Sequence, residues 1–143
     1  MKRMILIAGI FLVFIHCNQK DSQTMNNEPT PKLKSLVILW TSSDPEVFNK
    51  VVFPYGLNSK KQEWWQEVEL LIWGPSTKLL AESAELQEKI KTLQTAGVVL
   101  TSCRWCADQY EATYTLEKLG IDVKYMGKPL TDYLQSDKRV ITF

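Results

Sequence analysis

The feature that most constrains this chain is an alternation: five short runs of apolar residues are separated by stretches with helical spacing. The first run, Leu36-Val37-Ile38-Leu39-Trp40, has the length and residue types of a strand buried on both faces. After it, Ser42, Ser43 and Asp44 are helix-capping types and Pro45 suits a first helical turn. Val47, Phe48, Val51 and Val52 then form an apolar stripe toward Leu57. A second strand is predicted over Val68-Glu69-Leu70-Leu71-Ile72-Trp73, stopped by Gly74-Pro75. The polar connection from Asn58 to Gln66 carries Trp64 and Trp65, whose large apolar rings are assigned to packing or subunit contact.

Thr77 to Thr95 reads as helix broken near Ser83, with Leu79, Leu80, Leu86, Ile90 and Leu93 on its apolar face and Gly97 ending it. Val98-Val99-Leu100 is a third strand, with Val99 expected in the core, and it delivers the chain to Thr101-Ser102-Cys103. A helical pattern resumes through Tyr110, Thr113, Tyr114 and Leu116 to Gly120. Ile121 to Tyr125 and Val140 to Phe143 are the last two strands, with a short helix from about Pro129 to Gln135 between them. Only helical crossovers return a chain to a parallel neighbour, so the expected fold is α/β: a three-layer α/β/α domain around a mainly parallel five-stranded sheet. Residues at the carboxyl ends of such strands line one rim, which gathers Thr41 to Asp44, Gly74 to Ser76 and Thr101 to Cys106.

The amino terminus has a different character. Lys2 and Arg3 precede an uncharged apolar run from Met4 to Ile15, the pattern of a secretory leader, and the run is shorter than the roughly 20 residues of a membrane-spanning helix. Phe14-Ile15-His16-Cys17-Asn18 resembles a lipoprotein processing site, with Cys17 the residue to be lipidated; ahead of the cysteine, His16 stands where a small residue is usual. The expected organisation is therefore a signal peptide over 1–16, a polar flexible tether over 17–34 and one α/β domain over 35–143. The protein is expected to be exported to the periplasm or cell envelope and held on a membrane by its lipid.

Removing the leader also removes His16, the only histidine, which takes Ser-His-Asp and Cys-His catalysis and imidazole metal sites out of consideration. It takes the formal net charge from +1 to −1, because Lys2 and Arg3 leave with it. Nothing in that charge or its scattered distribution fits a nucleic-acid surface.

What remains for chemistry is Cys103-Arg104-Trp105-Cys106. Cys103 follows a strand and begins a helix, where free amides stabilise a thiolate, and Arg104 adds positive potential. Cys106, one turn on, can resolve an oxidised or persulfidated Cys103. A structural disulfide and a pair of inert buried thiols are the competing readings; zinc would need ligands from Asp108, Glu111 or a second subunit. Gly74, Ser43 and Asp44 are the supporting candidates on the same rim, each also explicable as a turn or cap residue. No cofactor and no metal is called for.

Taken in order, Leu71-Ile72-Trp73-Gly74-Pro75, Ala96-Gly97-Val98-Val99-Leu100, Cys103 with Cys106-Ala107, Leu119-Gly120-Ile121 and the closing Asp137-Lys138-Arg139-Val140-Ile141-Thr142-Phe143 resemble the DsrE/DsrF-like family. The resemblance spans about Leu36 to Phe143. It implies a flavodoxin- or Rossmann-like three-layer architecture, assembly into a homo-oligomer, and a sulfane sulfur carried as a persulfide on the cysteine after the third strand, here Cys103. Well-understood sulfur-relay members work in the cytoplasm, whereas this chain has a leader. The partners implied are a sulfur-donor or thiol protein, or a small sulfane-sulfur species. The alternative is a non-catalytic oligomeric scaffold subunit that uses the same fold as a binding surface.

Overall fold

The computed structural model describes residues 35–143; the expected leader and tether, with Cys17, lie outside the described residues. Five strands, β1 (Ser35–Trp40), β2 (Glu67–Ile72), β3 (Val99–Cys103), β4 (Asp122–Lys124) and β5 (Arg139–Thr142), form one sheet in the order β4-β3-β2-β1-β5. Every neighbouring pair is parallel, with Leu36 opposite Val68, Glu69 opposite Val99 and Thr101 opposite Asp122 fixing the register.

The helical stretch after β1 is longer than its apolar stripe implies. Asp44 caps it by accepting the Glu46 N–H at 2.9 Å, and α1 (Pro45–Val47), a π-helical turn (Phe48–Val52) and α2 (Phe53–Lys61) follow without interruption. Pro54 explains the wide turn, since it has no N–H to offer the preceding turn, and the helix instead bonds Phe53 N–H to the Phe48 carbonyl. The expected break at Ser83 is real. It separates α3 (Pro75–Glu82) from α4 (Ala84–Thr95), with Ser83 Oγ accepting the Leu86 N–H while Gln87 donates back to the Leu80 and Ala81 carbonyls. The helix expected after Cys103 is also broken: α5 (Arg104–Gln109) and α6 (Thr113–Lys118) are parted by Glu111 at φ +52. Finally α7 (Gly127–Leu134) links β4 to β5.

The direction in which the chain steps decides which face each helix covers. From β1 through β4 it moves one strand at a time toward the same edge, so right-handed crossovers put all the intervening helices on one face. There Trp40, Ile38, Leu70 and Ile72 meet Phe48, Leu80, Leu86, Ile90, Leu93 and Leu116. The rings of Trp40 and Phe48 lie 4.5 Å apart between centroids, and each fully buried aliphatic here stabilises by about 1.5–3 kcal/mol. From β4 to β5 the chain crosses to the far edge in the opposite sense, which carries α7 to the other face.

That second layer is thin. Its core is Val37, Leu71, Cys103, Cys106 and Met126, flanked by the half-buried Leu130 and Tyr133 of α7. This corrects the expectation for Val99, which is 55% exposed rather than a core residue. It sits at the entry of β3 and borders a hollow of about 250 Å³ shared with Glu67, Glu69 and Lys138. Leu100, one residue on and facing the thick layer, is the buried neighbour at 5% exposure.

Candidate functional site

The rim at the carboxyl ends of β1, β2 and β3 is bound together by backbone and hydroxyl groups before any chemistry is considered. Trp73 N–H donates to the Trp40 carbonyl at 3.0 Å, and the buried Ser76 hydroxyl donates to the same carbonyl at 2.6 Å. Ser102 Oγ donates to the Ile72 carbonyl at 3.3 Å, and Thr41 donates through both its N–H and its hydroxyl to the Phe143 carbonyl. The strand ends are therefore held in a fixed order around the cysteines.

Cys103 is the last residue of β3 and the N-cap of α5, and Cys106 lies on the first turn of that helix. Both are free thiols, each 4% exposed. Helix α5 straddles the edge of the sheet: Cys106 belongs to the thin layer, whereas its neighbour Ala107 belongs to the thick one. Gly74 closes the arrangement by donating its N–H to Cys106 Sγ at 3.2 Å. Its backbone, at φ +66 and ψ −136, is in a region that side chains with a Cβ avoid, and the following Pro75 keeps it from helical ψ.

Burial raises the Cys106 thiol above its ordinary value; the Gly74 N–H opposes that shift, and the adjoining Cys103 adds to it both as a hydrogen-bond partner and as a charge. Cys106 thus holds its proton more tightly than an ordinary thiol.

Of the residues singled out in the sequence, Cys103, Cys106 and Gly74 come together. Arg104 reaches toward α6, its guanidinium 3.1 Å from Glu117. Helix α5 is only six residues long, which makes its end a weaker source of positive potential than an unbroken helix to Gly120 would be. Asp44 is occupied in capping α1, and exposed Ser43 lines a separate hollow of about 170 Å³ with Pro75, Lys78, Leu79, Glu82 and Tyr110. Among the described residues no three His, Cys, Asp or Glu side chains converge as a metal-holding group, and no helix is long and apolar enough to cross a membrane.

Two groups near the cysteines escape a reading by motif. On the same face of the sheet Thr101 donates its hydroxyl to Glu69 Oε1 at 2.7 Å, and Tyr133 of α7 reaches that oxygen at 3.4 Å. Glu69 is 7% exposed, and Tyr133 is pushed up to about 12, by burial first and by the Glu69 carboxylate second. The other group is β4, whose Asp122 and Lys124 pair in register with Thr101 and Cys103 and bond each other at 2.6 Å. Asp122, Lys124, Thr101 and Glu69 come together only once the strand register is known, and Tyr133 only through the path of α7.

No family model and no curated protein matches the chain. Among solved structures, the conserved protein of unknown function BT1422 from Bacteroides thetaiotaomicron is similar at a TM-score of 0.75 and 32% identity, over 77% of this chain and 95% of that one. The ychN protein from E. coli shares the fold at a TM-score of 0.55 and 17% identity, over 77% of this chain and 99% of that one. An all-parallel five-stranded sheet flanked by helices, with a cysteine pair at the end of β3, thus sits on a DsrE/YchN-like fold. With about a third of its residues identical across nearly the whole length of the Bacteroides protein, the chain belongs to the same family as BT1422.

Proposed function

We propose that this protein carries sulfane sulfur or exchanges thiols through Cys103, with Cys106 as the assisting sulfur. The observation that carries the reading is the buried pair at the strand end: Cys103 closes β3 and caps α5, and Cys106, one turn on, accepts the Gly74 N–H at 3.2 Å. In the loading step the Cys103 thiolate attacks the outer sulfur of a donor R–S–SH. A bond forms to Cys103, the donor S–S bond breaks, and R–S⁻ leaves and takes a proton, with no net oxidation. Release follows either of two balanced routes. An acceptor thiol attacks the outer sulfur and regenerates Cys103, or Cys106 attacks the Cys103 sulfur, expelling hydrogen sulfide and leaving a Cys103–Cys106 disulfide that a dithiol reductant must reopen.

Incubation of the protein with an organic persulfide, followed by intact-mass and peptide mass analysis, tests this. A mass gain of about 32 Da, one sulfur atom, is expected on Cys103; it is abolished by Cys103→Ser and retained by Cys106→Ser. Loading that survives Cys103→Ser overturns the assignment. The deep burial of both thiols, together with the exposed Trp105, Tyr114 and Tyr125, favours a second reading as an oligomeric scaffold. Thiols inert to persulfide and to alkylation in the native protein would select it. On the leader sequence alone, we further place the protein in the cell envelope, anchored through Cys17.

A further inference from the structure

The strand register points to a residue that the cysteine motif does not contain. Cys103 and Lys124 are partners on adjacent parallel strands, so their side chains leave the same face of the sheet from positions about 5 Å apart. One step back, Thr101 and Asp122 are partners in the same way, and Asp122 holds the Lys124 ammonium at 2.6 Å. This ion pair is half exposed and therefore weak, which leaves the lysine free to change partners at little cost. Arg104 is adjacent to Cys103 in sequence, but as the first residue of α5 it leaves the sheet with the helix, and its guanidinium lies 3.1 Å from Glu117 on α6.

We propose that Lys124, rather than Arg104, is the positioning cation for a sulfur anion on Cys103, and that it exchanges Asp122 for that anion when the sulfur is charged. The inference rests on the reading that Cys103 works as an anionic sulfur. A lysine suits the task, since its compact charge on a flexible stem can follow the added sulfur atom of a persulfide outward. Other charged or titratable groups face this end of the layer. They are Cys106 on α5, Asp122 on β4, and Glu69 on β2 with Tyr133 on α7; the Lys128–Asp132 pair of α7 is exposed to solvent. Lys124 is the cation that the strand register sets directly beside Cys103.

The test is the pH dependence of Cys103 alkylation by iodoacetamide, read peptide by peptide on the full chain with no sulfur donor present. Lys124→Gln is expected to move the midpoint upward by about one pH unit, making alkylation about tenfold slower below the midpoint; this is the low end for a cation at this range, as its exposure requires. Lys124→Arg should restore most of the rate, Asp122→Asn should move the midpoint downward by freeing the lysine, and Arg104→Gln should do less than Lys124→Gln. Circular dichroism and melting of each variant separate these effects from unfolding. A Lys124→Gln profile that superposes on the wild type, or an equal effect from Arg104→Gln, overturns the proposal. Because no donor enters the assay, a protein that never loads sulfur but still shows the Lys124 dependence would overturn the carrier reading while keeping the cation assignment.

Discussion

Gly74→Ala is the substitution that tests most directly how the backbone builds the cysteine site. Gly74 has φ +66 and ψ −136, and an added Cβ would meet nothing within 4 Å. Any cost is therefore conformational rather than steric crowding by neighbours. Holding an alanine in a sparsely populated positive-φ region costs about 1–3 kcal/mol. Against this, alanine restricts the unfolded chain and returns about 0.4–1 kcal/mol, which leaves a net loss centred on about 1 kcal/mol. For a domain of this size that lowers Tm by about 4–8 °C. Gly127→Ala is the matched control: its added Cβ also meets nothing within 4 Å, but it begins α7 without a positive φ and should be neutral or slightly stabilising. The same Gly74→Ala protein should alkylate more slowly at Cys106, because relaxing the strained turn withdraws the N–H that now donates to Cys106 Sγ at 3.2 Å and favours its thiolate. Differential scanning calorimetry and peptide-resolved alkylation provide both readouts. A Gly74→Ala protein that melts with the wild type and alkylates identically at Cys106 would refute the backbone argument.

Further outcomes follow from the two faces of the sheet and from the leader. Leu100→Asp places an uncompensated charge in the thick layer and should unfold the domain, whereas Val99→Asp, at 55% exposure, should cost under about 1 kcal/mol; urea titration distinguishes them, and equal damage would mean the register is wrong. Tyr133 keeps its proton in the folded state to about pH 12 but loses it near pH 10 when unfolded. Its contribution to stability is thus fully present below pH 10 and is lost as pH rises through about 12, amounting to about 1–2 kcal/mol after allowance for its partial exposure. Denaturation curves of the wild type and Tyr133→Phe should therefore converge across that window, and parallel curves would contradict the assignment. In the producing cell, Cys17→Ser should leave the precursor unprocessed or release the protein from the membrane fraction; globomycin-insensitive processing with an unmodified Cys17 would exclude lipidation.

The strands were legible because each is a short apolar run between breakers, and the interruption at Ser83 was legible because serine is an N-cap. The extension of α2 to Lys61 was not. Its last turns carry Asn58, Ser59, Lys60 and Lys61, polar types that read as a connection, yet Ser59 is buried and Gly56 faces Ile38 and Leu93. Glu111 was equally hidden, because a left-handed φ at a residue other than glycine leaves no compositional mark. Val99 misled for a topological reason: three consecutive apolar residues look like a doubly buried strand, but one face of its entry lies beside an open hollow. Cys103, Cys106 and Gly74 were readable because they sit at strand ends. Lys124, Glu69 and Tyr133 were not, since only strand register and the path of α7 bring them near.

That path also explains why the polar chemistry gathers where it does. Four strands laid down in one direction commit every crossover helix to a single face, and that face becomes a dense aliphatic core with little room for a titratable group. The single reversed step from β4 to β5 supplies only α7 to the other face, so its core is small and two of its five buried residues are cysteines. Beside them a carboxylate is buried by accepting the Thr101 hydroxyl, with Tyr133 at longer range, rather than by pairing with a cation. A layer with so few buried apolar contacts opens at a lower free energy than the core behind it. Two thiols that are 4% exposed on average can therefore be reached by a reactant through local movement of α7 and α5, without unfolding the sheet that positions them.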